Sequence, residues 1–149
     1  MHDELRTASF ADLDAGTLYA ILKLRSDVFV VEQECAYADP DGRDIEPGTR
    51  HAWIERDGEI RAYLRILHDG DVQRIGRVVT AKSARGAGLA GRLLDEALKI
   101  IGNRPSVLDA QSYLVSFYTK YGYEPSGPEF VEDGIPHVPM LRAAPRPAR

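Results

Sequence analysis

Arg85-Gly86-Ala87-Gly88-Leu89-Ala90-Gly91 sets three glycines behind an arginine, directly ahead of an amphipathic stretch. Residues of these types at this spacing bind anions. Glycine lets the backbone approach a ligand closely, and the unpaired N–H groups and positive dipole end of a helix start attract phosphate. Read from Gly86, as Gly86-x-Gly88-x-x-Gly91, the run fits the dinucleotide fingerprint of nicotinamide and flavin enzymes. Read from Arg85, as Arg-x-x-Gly-x-Ala, it fits a different pyrophosphate loop. The structural alternative is that the glycines only permit a tight turn and close helix packing.

The remaining reactive side chains carry weaker patterns. Cys35 is the single cysteine, so no internal disulfide forms, and with no catalytic setting around it a buried or semi-buried thiol is expected. Asp39-Pro40-Asp41-Gly42-Arg43-Asp44 resembles a calcium loop, but its glycine comes too early and Arg43 occupies a ligand position. His2, His51, His68 and His137 have no metal-ligand spacing with one another or with Cys35. No metal is expected.

The elements that must position the glycine run follow from periodicity. Leu5 to Ala8 reads as a short strand, after which Asp12 or Asp14 caps a helix through Leu18, Ile21, Leu22, Arg25, Val28 and Phe29. Residues 32–50, rich in Asp, Glu, Pro and Gly, form a long connection with room for a short helix. From His51 to Thr80 three antiparallel strands are expected, turning at Asp57-Gly58 and Asp69-Gly70. In the middle strand Ile60, Ala62, Leu64 and Ile66 should share one face, opposite Arg61, Tyr63 and Arg65. Leu89, Leu93, Leu94, Ala97, Leu98 and Ile101 then define a helix ending near Gly102-Asn103. Ser106 to Ala110 reads as a buried strand and Ser112 to Tyr121 as a last helix. Tyr123 to Val131 and Ile135 to Leu141 close as a strand pair around Glu132-Asp133-Gly134, leaving 143–149 as a frayed tail.

At 149 residues, with no repeat or linker, the chain is read as one domain, residues 1–149. A hydrophobic content of 44% contains no membrane-length apolar run, and Met1-His2-Asp3-Glu4 lacks a signal-peptide core, which points to a cytoplasmic protein. The net charge of −4 argues against nucleic-acid partners. Context also weighs against a dinucleotide. Five residues separate Thr80 from Gly86, the strands upstream read as antiparallel, and 58 residues remain after Gly91. Asp109, eighteen residues past Gly91, does stand where a ribose-binding acid would.

Ordered matches along nearly the whole chain decide the matter. They are Leu18 to Arg25, then Val28-Phe29-Val30-Val31-Glu32-Gln33 with Cys35, Tyr37, Asp41 and Gly42. Ile75-Gly76-Arg77-Val78, Arg85-Gly86, Ala110-Gln111, Phe117-Tyr118, Gly122-Tyr123 and Glu132-Asp133-Gly134-Ile135-Pro136-His137 complete them. On these the sequence resembles the GNAT superfamily of N-acetyltransferases, closely its ElaA-type members. The resemblance implies a mixed α+β or α/β fold of GNAT type: a central, mostly antiparallel sheet of six to seven strands with helices on both faces.

It also implies a monomeric or homodimeric enzyme that moves acetyl from acetyl-CoA to a primary amine on a small molecule, peptide or protein. Backbone groups of Val78, Val79 and Thr80 would pair with the pantetheine arm. Amides of Arg85, Gly86, Ala87, Gly88, Leu89 and Ala90 would hold the pyrophosphate, with Gln111 beside the cofactor. Lys82 and Gln111 stand where members carry proline and asparagine. Tyr118 falls at the general-acid position, where a phenol can protonate the departing thiolate. His137 is the candidate base. Glu32, Arg25 and Arg74 are candidate substrate contacts, and Asp39, Asp41 and Asp44 would steer a basic acceptor by their negative potential. The competing functions are a non-catalytic acyl-CoA sensor, an NAD(P)-dependent oxidoreductase and an acyl-homoserine lactone synthase, whose pattern lacks a glycine loop like Arg85 to Ala90.

Overall fold

The computed structural model describes residues 3–144. Among the described residues eight strands form one sheet in the order β1-β2-β3-β4-β5-β8-β6, with β7 paired to β8. The strands are β1 (Asp3–Ser9), β2 (Arg50–Arg56), β3 (Glu59–Asp69), β4 (Val72–Thr80), β5 (Ser106–Gln111), β6 (Glu124–Pro125), β7 (Phe130–Glu132) and β8 (Ile135–Arg142). Every pairing is antiparallel except β4 with β5. The count exceeds the expected six to seven. The strand expected over Tyr123 to Val131 is two short ones, β6 and β7, separated at 126–129 and both paired with β8.

Alternating side chains give the sheet two apolar faces. Ala52, Ile54, Ala62, Leu64, Ile66, Ile75, Leu108 and Ala110 meet helix α2 (Leu89–Ile101) through Leu89, Leu93, Leu94, Ala97 and Ile101. That five-residue stripe recurs at helical spacing, and each fully buried aliphatic side chain contributes about 1.5–3 kcal/mol. On the opposite face Trp53, Tyr63 and Val79 meet Ile21, Leu24 and Val28. Those residues belong to helix α1 (Ala15–Arg25) and its continuation over Ser26–Glu32, which widens into π-helical turns. The Asp14 side chain caps α1 by accepting from the Thr17 N–H at 2.6 Å. Past the π turns, the Gln33 and Cys35 N–H groups still donate five residues back, to Val28 and Val30. Widening of this kind rotates the residues that follow it and recurs at functional sites.

Several expectations are corrected by the register. Between β2 and β3 the pairing passes from Ile54–Ala62 to Glu55–Ile60, so Arg61 is an extra residue. This bulge turns Ile60 onto the α1 face, away from Ala62, Leu64 and Ile66. The second hairpin turns at Gly70-Asp71, one residue later than expected, because Asp69 still pairs with Val72. Residues 36–49 contain turns and bends but no helix. The last helix is a 3-10 turn at Ser112–Leu114 followed by the short α3 (Val115–Thr119), ending before Tyr121. The expected tail lies outside the described residues from Pro145 onward, as does His2. No helix of the described residues is long and apolar enough to cross a membrane.

Candidate active site

The parallel pairing of β4 with β5 covers only Gln73–Ser106 and Arg74–Val107. Beyond Arg74 the two strands part. Between Tyr63–Val79 and Arg65–Gly76 the register on β3 slips, so that Arg77 and Val78 oppose Leu64 alone. Arg77 sits at this bulge with φ of +52°. A non-glycine residue in the left-handed region is held there by its surroundings and bends the strand. From Gly76 to Thr80, β4 therefore has, among the described residues, a strand neighbour on its β3 side only. The resulting fork is a cleft of about 720 Å³, lined by β4 and β5, the π segment and α3.

The cleft runs to the glycine loop. Gly86 and Gly88 have φ of +86° and +76°, and a Cβ on either would meet nothing within 4 Å, so backbone conformation selects glycine here. Gly88 caps α2 without any side-chain hydrogen bond, which leaves the first helical amides for a ligand. Gly91 differs: a Cβ there would fall 2.5 Å from the Tyr121 hydroxyl. It serves close packing. The Leu89 side chain is buried in the core, so only its backbone is available, whereas Ala90 lines the cleft.

Residues 32–35 form a strap across the cleft. Glu32 accepts two hydrogen bonds from the Arg85 guanidinium, at 2.6 and 2.8 Å, and Arg85 Nε also donates to the Thr80 carbonyl at 3.2 Å. The Gln33 and Gln111 side-chain amides meet at 3.3 Å. The Cys35 thiol, buried as expected, donates to the Asp133 carbonyl in the β7–β8 turn at 3.2 Å.

Tyr118 and His137 both line the cleft. Tyr118 is buried, packed edge-on against Phe117 and Tyr123, and its hydroxyl has no hydrogen-bond partner among the described residues. Burial pushes its phenol well above the usual range, so it stays protonated at neutral pH. His137 lies opposite Gln111 and stacks on Phe130, with 5.7 Å between ring centroids. Its Nδ1 is 2.7 Å from the Ile135 carbonyl, which can only accept, so Nδ1 carries the hydrogen. In the neutral ring Nε2 then keeps a free lone pair.

Residues 28–143 match the Acetyltransferase (GNAT) domain family. The chain belongs to the GNAT acetyltransferases. Among its GNAT relatives, a UPF0039 protein of Mycobacterium tuberculosis is 50% identical over 147 residues, covering 95% of this chain and 94% of that protein. Escherichia coli ElaA is 39% identical over 139 residues, covering 89% and 91%, which bears out the ElaA-type resemblance. Its crystal structure superposes with a TM-score of 0.90 at 36% identity, over 95% of this chain and 99% of that one. An acyl-CoA N-acyltransferase structure from Pseudomonas aeruginosa gives 0.91 at 40% identity, over 95% and 100%.

Within the GNAT cleft, the predicted positions Val78, Val79, Thr80, Arg85, Ala90, Gln111, Tyr118, His137, Glu32 and Arg74 come together. Arg25 does not. It is fully buried on α1, with Nε on Asp39 at 2.8 Å, Nη1 on Asp44 at 2.7 Å and its guanidinium over the Tyr63 ring at 5.7 Å. No substrate group reaches it. The steering role of Asp39, Asp41 and Asp44 is corrected with it. Arg65 binds Asp41 at 2.5 Å and Asp44 at 3.0 Å, while Arg77 pairs with Asp39 and Asp41 at 2.9 and 3.4 Å. Three carboxylates facing three guanidiniums leave little field to steer anything. Glu32, expected to bind a cationic amine, is already satisfied by Arg85, whose hydrogen bond holds its carboxyl below the usual range.

Gln33 and Tyr37 line the GNAT cleft without having been singled out in the sequence, as does Asp109, weighed there only as a ribose-binding acid; Arg77 of β4 lines it as well. One signal was present for the β4 residues. Gly76, inside a strand otherwise rich in β-branched residues, marks a place where a ligand or backbone can come close.

Proposed function

We propose that this protein is an N-acetyltransferase that carries an acetyl group from acetyl-CoA to a primary amine in the β4–β5 cleft. The observation that carries the reading is the continuity of the unpaired β4 edge with the uncapped N-terminus of α2. A pantetheine arm fits the edge at Val78, Val79 and Thr80 as an added strand, and the pyrophosphate fits the amides from Arg85 to Ala90. Gln111 stands across the fork from that arm. A cleft of about 720 Å³ is of the size that takes such a ligand in part.

The chemistry uses this chain's own protons. The thioester supplies an activated carbonyl and a thiolate leaving group. His137 Nε2 takes one proton from the acceptor's ammonium, freeing the nitrogen lone pair to form the C–N bond as the C–S bond breaks. Tyr118 gives its hydroxyl proton to the sulfur and recovers one from the nitrogen of the new amide. An ammonium and a thioester thereby become an amide, a thiol and one released proton. The bland alternative for Tyr118 rests on its edge contacts with Phe117 and Tyr123, which a purely structural tyrosine would also make.

Thermal shifts with acetyl-CoA, free CoA and NADH test the cofactor, and thiol release across an amine panel tests transfer. Stabilisation by NADH alone would sink the reading, and binding without release from any amine would favour a sensor. Tyr118→Phe is expected to lower kcat about 100-fold or more with acetyl-CoA affinity little changed. Equal losses in both would assign Tyr118 to packing. Gly88→Glu puts a Cβ at φ of +76°, at a cost of about 1–2 kcal/mol, and a carboxylate against the phosphates. It should abolish acetyl-CoA binding in a protein that still folds; unchanged affinity would dismiss the loop assignment.

A further inference from the structure

The face of the fork beneath the strap carries one charge pair built unlike the others. Ile75, Leu108 and Ala110 point into the α2 core, so by strand alternation Arg74, Gly76, Asp109 and Gln111 point the other way, toward Gln33 of the strap. His137, directly opposite Gln111, shares that face. Arg74 is the last β4 residue paired with β5, and Asp109 is the first charged residue beyond the pairing. Their contact, 3.4 Å from Arg74 Nη1 to Asp109 Oδ2, spans the base of the fork.

This contact is long, and both side chains are open to solvent, 36% and 38% exposed. Asp69 holds Arg74 by Nε at 2.9 Å, which fixes the guanidinium but leaves its terminal nitrogens with the Asp109 oxygen alone among the described residues. The neighbouring arginines, Arg65 and Arg77, are committed to Asp39, Asp41 and Asp44. Beside the pair, Gly76 supplies no side chain, and a Cβ there would meet nothing within 4 Å. The fork therefore offers one anchored guanidinium and one carboxylate, adjacent, weakly joined and with free space over them.

Building on the N-acetyltransferase reading, we propose that the acceptor is an amino acid with a free carboxylate, held by Arg74 through that carboxylate and by Asp109 through its α-ammonium. A zwitterion whose two charges flank a single carbon replaces the Arg74–Asp109 contact by two charge-assisted hydrogen bonds and leaves neither protein group unpaired. A plain amine satisfies Asp109 only. From Asp109 to Gln111, the partner of His137, is one two-residue step along β5, about 7 Å. The bound ammonium is thus on the face that carries the base. Transfer produces an N-acetyl amino acid, CoA thiol and one proton.

Acetyl-CoA-dependent thiol release should be compared for alanine, phenylalanine and lysine, for the corresponding carboxamides, and for ethylamine. At least one free amino acid is expected to exceed its carboxamide in kcat/KM by about tenfold or more, the value of a hydrogen bond to a charged group. Arg74→Gln should erase that advantage by raising KM for the amino acid and not for the carboxamide. Asp109→Asn should raise KM for both. Acetyl-CoA affinity should be unchanged in each variant. Carboxamides or ethylamine used as well as amino acids, equal damage by Arg74→Gln to every acceptor, or no release from any amino acid by protein that binds acetyl-CoA would overturn the proposal and leave the cofactor assignment standing. Failure to bind acetyl-CoA would instead remove the reading beneath it.

Discussion

Arg25 and Arg74 make the same kind of contact, a guanidinium on two aspartates, in opposite surroundings. Arg25 is sealed between α1 and the 36–49 loop, and its partners Asp39 and Asp44 are nearly as buried. Arg74 stands at the fork, with its partners Asp69 and Asp109 about one-third exposed. Water decides what each contact does. In the sealed knot no solvent can replace a lost partner, so the charges hold each other and fix the loop. At the fork water competes for every group, so the contact is weak and can be exchanged for a ligand. The knot is architecture and the fork is the proposed site, although residue type alone makes them look alike.

The largest effect is expected at Arg25. Arg25→Ala leaves Asp39 and Asp44 buried with fewer partners, and urea denaturation should record a loss of about 3–5 kcal/mol. A loss below 1 kcal/mol would mean that the knot is as exchangeable as the fork. The next largest effect is on acid stability. Arg65's hydrogen bonds hold the Asp41 carboxyl far below its usual range. For Asp44, burial pushes up but Arg25 and Arg65 outweigh it, and the net direction is down. Burial likewise lowers the His51 imidazole, whose Nδ1 meets the Tyr63 hydroxyl at 2.6 Å. A depressed folded-state pKa contributes stability that is complete above the unfolded value and lost as pH falls through the folded one. His51 should therefore begin to weaken the fold below about pH 6.5, and Asp41 and Asp44 should add to this below about pH 4. Urea midpoints from pH 8 to 3 should fall in those two windows. In Arg25→Ala the lower window should shrink, since Asp44 has lost one of the cations that depress it.

Sequence alone exposed what is local. The α2 stripe, two of the hairpin turns and the Arg85 to Ala90 loop depend on residues within a turn or two of one another, and periodicity or glycine spacing reveals them. The knot joins Arg25 to residues 14 and 19 positions away, and a periodicity scan treats an arginine on an apolar face as an interruption. The bulges at Arg61 and Arg77 were hidden for a similar reason, since a strand's extra residue is defined only against its neighbour. The strap is more distant still, tying Gln33 to Gln111 and Cys35 to Asp133. The loop proposed to hold the cofactor was thus legible from one segment, while the proposed acceptor region exists only once β4, β5, β8 and the π segment are brought together.

The Glu32–Arg85 pair sharpens the contrast from the other side, because its geometry is as good as the knot's while its burial is not. Two hydrogen bonds at 2.6 and 2.8 Å join side chains that are 33% and 41% exposed. If distance governed strength, Glu32→Gln would destabilise the fold like Arg25→Ala. If water governs it, the loss should be below about 1 kcal/mol. The variant should also act on the cofactor, since Arg85 is now shared between Glu32, the Thr80 carbonyl and the expected phosphates. Removing the carboxylate's charge releases the guanidinium and should tighten CoA binding by up to about fivefold, the factor set by a pair of that strength. Calorimetric titration with CoA, alongside a urea curve, measures both quantities on one sample. A large stability loss would place Glu32 with the knot; weaker CoA binding would mean that the strap positions Arg85 for the phosphates instead of withholding it.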